Sequence, residues 1–222
     1  FIYIIYSMNH PLKYNITPID STFIGSINST NYGTNKHSIF KNIINKHLDK
    51  NKIKKVLEVR ASGRTDSNHD MIQGFFPNAK YFHTDIKKNP NIETIIWNFE
   101  STAPFNDNEF DFIFSSQSLE HQKYPWIICK ELKRILNKNG LVYVGVPWSW
   151  RYHPAPIDYW RFSPECLINL FDGLITLEAN FDIHHRRDNI KGIWPNKKDA
   201  VPIDNLGGFR ENWQSYYLGK KI

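Results

Sequence analysis

The chain has 222 residues, 41% of them apolar and 15% aromatic, which suits one domain with a genuine core and excludes a disordered polypeptide. A net charge of +6 favours an anionic partner such as nucleic acid, a phosphate-bearing carrier or a nucleotide-linked sugar. The longest apolar runs, Phe1 to Tyr6 and Leu141 to Trp148, fall far short of the roughly 20 residues that cross a bilayer, which excludes a helical membrane span.

Residues 1–36 alternate short apolar runs with Pro11, Pro18, Gly25 and Gly33 and read as an irregular lead-in to a domain over 37–222. Phe1 to Tyr6 has no basic start and no cleavage pattern after it, so no signal peptide is expected, and the missing initiator Met reads as a piece cut from a longer protein. From Ser38 the pattern changes: Ile39, Ile43, Ile44 and Leu48 fall on one face of a helix. Lys55 to Val59 reads as a buried strand, and Ser67 with Asp70 offers a capping-box start for a helix through Phe76. Strands are expected at Lys80 to Asp85, Ile92 to Trp97 and Phe110 to Ser115, then a helix from Pro125 to Leu136 stopped by Asn137-Lys138-Asn139-Gly140. Leu141 to Pro147 is a β-branched strand, Ser163-Pro164 opens a helix to Phe171, and Leu174 to Ala179 and Trp213 to Leu218 supply two closing strands. The two cysteines, Cys129 and Cys166, fall in helical stretches, which argues against a disulfide framework or zinc cluster and for a reducing, cytoplasmic compartment.

Strands alternating with helices predict an α/β, Rossmann-like fold, a mostly parallel seven-stranded sheet with helices on both faces. Ligands of such sheets lie beyond the carboxyl ends of the strands. Four ends are polar here: Glu58-Val59-Arg60-Ala61-Ser62-Gly63, Asp85, Asn98-Phe99-Glu100 and Ser115-Ser116-Gln117. A carboxylate after the second strand suits the paired hydroxyls of a ribose, because it accepts a hydrogen bond from each.

With these positions in view, the sequence resembles the class I S-adenosylmethionine-dependent methyltransferases, type 11 branch, from about Lys55 to Phe171. The matching stretches are Pro104 to Asp111, Ser115-Ser116-Gln117-Ser118-Leu119-Glu120-His121, and Glu131 to Gly140. The resemblance implies S-adenosylmethionine as cofactor and S-adenosylhomocysteine as product. By the same resemblance, Glu58 to Gly63 wrap the methionine part, Asp85 holds the ribose, and Asn98 with Phe99 recognises adenine; Ile86, Glu100, Ser116 and Gln117, at the same strand ends, are further candidate cofactor contacts. The sequence departs from that pattern in two places. Arg60, Ala61 and Ser62 stand where the family carries glycines, and Asn98 stands where Asp is usual.

The acceptor is read from Trp148 to Phe162, which packs His153, Asp158, Arg151, Arg161 and six aromatic residues between a strand and a helix. Sugar C–H faces lie on aromatic rings and hydroxyls take charge-assisted hydrogen bonds, so Trp148, Tyr159, Trp160 and Arg161 are candidate acceptor contacts. This stretch and the tail from His184 to Tyr217 are similar to methyltransferases of polysaccharide and glycan biosynthesis. The expected reaction is therefore O-methylation of a sugar hydroxyl, for example on a deoxyhexose such as rhamnose. A hydroxyl must lose its proton as it attacks, and the candidate bases are His153 oriented by Asp158, or His121. The spacing offers no tight cluster of Asp and His, so no metal is expected. An RNA or protein methyltransferase using the basic surface, and a non-catalytic scaffold with a glycine-poor first loop, are the alternative readings.

Overall fold

A computed structural model describes residues 38–61, 68–149, 152–154, 156–182 and 213–222. Helix α1 (Ser38–His47) buries Phe40, Ile43 and Ile44, spaced three and four apart as one helical stripe requires. Strand β1 (Lys55–Val59) follows, and its first amides are fixed by the Asp111 carboxylate, which accepts from the Lys54 and Lys55 N–H groups at 2.8 and 2.9 Å. Then come α2 (His69–Phe75), β2 (Lys80–Asp85), β3 (Thr94–Ile96), β4 (Phe110–Ser116), α3 (Pro125–Ile135), β5 (Leu136–Ser149), α4 (Pro164–Leu170), β6 (Ile175–Asp182) and β7 (Trp213–Lys220). The sheet has seven strands in the order β3-β2-β1-β4-β5-β7-β6. Strands β1 to β5 pair in parallel, and β7 runs antiparallel between β5 and β6. The order reverses between β1 and β4, which opens a crevice at their carboxyl ends.

Successive residues of β5 supply opposite faces of the sheet. Val142, Val144 and Val146 join Ile128, Leu132 and Ile135 of α3 and Leu167 of α4 in one core layer. Leu141 and Tyr143 join Phe40 and Ile44 of α1 and Ile72 of α2 in the other. The helices thus cover both faces, as the alternating pattern predicts. Phe114 and Tyr143 stack at 5.5 Å under Phe40, which gives the second layer an aromatic centre.

The elements differ from expectation at their ends. The N-cap of α2 is Asn68, whose side chain makes no cap bond, and Ser67 lies outside the described residues. β3 is three residues long rather than six. α3 ends at Ile135 and the chain enters β5 at once; Asn137 to Gly140 form an irregular start to that strand, with Asn139 at φ 62° and a register shift opposite Phe110 and Phe112. α4 begins as expected, with Ser163 accepting from the Cys166 N–H and Pro164 at its first position. Both cysteines are free thiols, Cys129 in α3 and Cys166 in α4.

Glu131 clamps residues 103–107 to α3. Its Oε2 accepts from the Ala103 N–H at 2.9 Å and from Arg134 at 2.8 and 3.0 Å, while Arg134 also donates to the carbonyls of Ala103 and Phe105 and to Asp107. Burial raises the pKa of this carboxyl, but the bonds from Arg134 and Ala103 outweigh it and hold the group below its usual range. A depressed carboxylate stabilises the fold above its unfolded pKa of about 4.3 and loses that contribution as the pH falls through the folded value. Glu131→Gln should therefore cost about 1.5–3 kcal/mol at neutral pH. The gap from wild type should close on acidification, as read by denaturant melts across pH; a pH-independent gap would contradict this account.

Candidate active site

The crevice between β1 and β4 is built from strand ends. Glu58, fully buried in β1, accepts from the Asn68 backbone N–H at 3.0 Å and from Asn68 Nδ2 at 2.9 Å on Oε1, and from the Tyr81 hydroxyl on Oε2. It braces the start of α2 against β2. Burial, reinforced by the Glu58 charge, pushes the Tyr81 hydroxyl pKa well above its ordinary value. Arg60 is buried and its N–H donates to the Thr84 carbonyl at 2.9 Å. Its positive charge acts on Tyr81 and His83 of β2, and burial pushes His83 below its usual pKa. Ala61 packs in the core, while Ser62 and Gly63 lie outside the described residues.

At the end of β2, Asp85 is 1% exposed and its Oδ1 accepts from the Ile86 N–H at 2.6 Å. Beyond β3, Asn98 and Glu100 are exposed and Phe99 turns inward onto Trp97, ring centres 4.5 Å apart. Asn98 Oδ1 accepts from the Glu100 N–H at 3.1 Å, which fixes a tight turn at this strand end.

The end of β4 carries more unsatisfied polarity. Gln117 sits at φ 54° with its N–H donating to the Gly145 carbonyl at 2.8 Å, and its Nε2 is buried without a partner, as is the Ser115 hydroxyl. Ser118 Oγ donates to the Val59 carbonyl at 3.0 Å and sews this end to β1. A 3₁₀ turn, Leu119–His121, follows and turns Glu120 and His121 inward.

The segment after β5 lies on that turn. Tyr159 N–H donates to the Glu120 carbonyl at 2.8 Å, Trp160 Nε1 to the Gln122 carbonyl at 2.9 Å, and His121 Nδ1 to the Ile157 carbonyl at 2.7 Å. His153 faces His121 edge to face, ring centres 5.1 Å apart. Asp158 Oδ2 accepts from the His153 backbone N–H at 2.8 Å and lies 3.2 Å from His153 Nδ1. Arg161 directs Nη1 and Nη2 onto the Asp158 carboxylate at 2.5 and 2.7 Å. Burial raises the Asp158 pKa, but Arg161 and the His153 N–H together hold the carboxyl below its usual value. Trp148, Tyr159 and Trp160 are all partly open to solvent, whereas Phe162 is buried as a core anchor.

The three catalytic candidates of the sequence, His121, His153 and Asp158, thus meet in one place, although 32 or more residues separate His121 from the other two. Glu120 completes the group and was missed. Its Oε1 lies 3.5 Å from His121 Nε2 and 3.6 Å from His153 Nε2. The sequence signal was only its place beside His121, and the 3₁₀ geometry that turns both side chains inward is not legible there.

Residues 65–144 match a family model described as a methyltransferase domain. The fold is similar to phosphoethanolamine N-methyltransferase 2 of Haemonchus contortus, solved with phosphomonomethylethanolamine and S-adenosylhomocysteine, at TM-score 0.53 and 12% identity over 76% of this chain and 48% of that one. A Listeria monocytogenes protein described as an S-adenosylmethionine-dependent methyltransferase aligns at TM-score 0.53 and 13% identity, over 84% of this chain and 100% of that one. The [4+2]-cyclase SpnF aligns at 0.56 and 13%, over 83% and 80%. No curated protein matches the sequence. The seven-stranded sheet and its neighbours define the class I methyltransferase fold. With the matched domain, the chain is an S-adenosylmethionine-dependent methyltransferase. The residues present fit that cofactor: a buried carboxylate ends β2, and two buried polar groups without partners, Ser115 Oγ and Gln117 Nε2, stand at the β4 end. Among the described residues no helix is long and apolar enough to cross a membrane.

Proposed function

We propose that the enzyme is an O-methyltransferase acting on a sugar hydroxyl of a glycan or an activated sugar, with the domain spanning residues 37–222. The observation that carries this reading is the docking of residues 156–162 on the turn after β4, which sets the His153–Asp158 pair beside partly exposed aromatic rings. S-adenosylmethionine, when bound, supplies a methyl group on a positively charged sulfur. Asp85 with Ile86 holds its ribose, the turn at Asn98 to Glu100 its adenine, and Arg60 to Gly63 with Ser116 and Gln117 its methionine end. His153 receives the acceptor proton at Nε2 while Asp158 holds Nδ1 and fixes the ring. Tyr159 and Trp160 offer faces to sugar C–H groups. Arg161 acts through Asp158, whose carboxylate it grips with both terminal nitrogens. Two free cysteines suit a reducing cytoplasm.

The test is transfer of labelled methyl from S-adenosylmethionine to free, nucleotide-linked and oligomeric sugars, with RNA and protein acceptors alongside. Label is expected on a sugar oxygen. Label on RNA alone, with affinity falling steeply between low and physiological salt, would replace this reading with a nucleic-acid one.

A further inference from the structure

We propose that Glu120, His121 and His153 form a binding site for one divalent transition-metal ion of the zinc type, between the ends of β4 and β5. The Glu120 side chain is wholly buried, and neither of its oxygens has a hydrogen-bond partner. A buried carboxylate without hydrogen bonds is costly unless a cation compensates it. Among the described residues, the imidazoles of His121 and His153 face it, at 3.5 and 3.6 Å, and the three ligand atoms lie within 4.8 Å of one another. Those separations exceed the about 2.7–3.2 Å of an N–H···O hydrogen bond. They match instead the about 3.4 Å between two donors each held ~2.0–2.2 Å from a common tetrahedral ion.

The surroundings are those of a metal site as well. His121 Nδ1 donates to the Ile157 carbonyl, and His153 Nδ1 rests against the Asp158 carboxylate, itself fixed by Arg161. With Nδ1 tied in each ring, Nε2 carries the lone pair turned toward Glu120, the arrangement that orients histidine ligands. Two imidazoles and one carboxylate favour zinc, iron(II) or cobalt over magnesium or calcium, and three protein ligands leave a coordination position free. His153, 23% exposed at its side chain against 3% for His121, marks the side from which an exogenous oxygen reaches that position. His153 Nε2 takes the acceptor proton in the metal-free enzyme; with an ion bound it is a ligand instead, and the ion lowers the pKa of the oxygen it binds. The chain's own spacing conceals the site, because His153 lies 32 residues beyond His121.

The test requires no methyl acceptor, so it stands or falls apart from the sugar reading. The full chain is stripped with chelator and titrated with Zn²⁺ alone by calorimetry, then loaded with Co²⁺ for visible spectra. One equivalent should bind at micromolar or tighter affinity with the d–d absorption of a four-coordinate site. Glu120→Gln and His121→Ala should each weaken binding by at least about a hundredfold, while His47→Ala, on α1 beside Glu178, leaves it unchanged. If those variants do not fold, X-ray absorption of the wild-type zinc complex decides, with two imidazoles and oxygen donors expected. Absence of stoichiometric binding by folded wild type, binding that survives both substitutions, or a coordination shell without imidazole would overturn the proposal.

Discussion

His153→Ala should lower the turnover of methyl transfer by about a hundredfold or more, the scale of a lost proton acceptor, while affinity for S-adenosylhomocysteine changes by no more than about twofold. His153 stands at the β5 side of the crevice, tied to Asp158 and facing His121 and Glu120, whereas the residues proposed to hold ribose and adenine lie at the ends of β2 and β3. The two effects are therefore separable. Asp158→Asn should reproduce part of the loss, because it frees the His153 ring and releases Arg161 at once. Full turnover in His153→Ala together with its abolition in His121→Ala would move the proton acceptor to the β4 end.

Asp85→Ala should weaken S-adenosylhomocysteine binding by about 1.5–3 kcal/mol, a tenfold to hundredfold rise in Kd. The carboxylate is almost wholly buried at the β2 end, where it also receives the Ile86 N–H. Asp85→Asn separates these tasks: the amide oxygen still accepts from Ile86, but the charge that two ribose hydroxyls favour is gone. A melting temperature close to wild type with a Kd raised tenfold is expected for Asp85→Asn, measured by calorimetry and thermal denaturation. Unchanged affinity in both variants would sink the assignment of β2 as the ribose strand.

The strands were legible because buried parallel strands read as short β-branched or aromatic runs, and Val142, Val144 and Val146 alternate with Leu141 and Tyr143 onto two helical layers. The position of the crevice followed from that order. What did not follow was direction. Gln117 adopts a left-handed backbone that nothing in Ser115-Ser116-Gln117-Ser118 demands, and it leaves an amide buried at the β4 end. Glu120 reads as one acid beside a histidine until the 3₁₀ turn points both inward. Arg161 reads as an acceptor contact, yet both its terminal nitrogens hold Asp158. Asn137 to Gly140 carry the Asn and Gly of a helix stop, and they do follow the last turn of α3, but β4 pairs with Leu136 and Leu141 on either side and Lys221 bonds Asn139 and Gly140, which draws the stretch into the strand. In each case tertiary contact decided what local composition left open.

The placement of β7 between β5 and β6 sets an order on synthesis. β7 emerges from the ribosome after β6, yet it fills the gap between two strands that are already made. Until residues 213–220 arrive, the long edge of β5 presents a row of unpaired backbone groups to any neighbouring nascent chain, which is the condition under which sheets join the wrong partner.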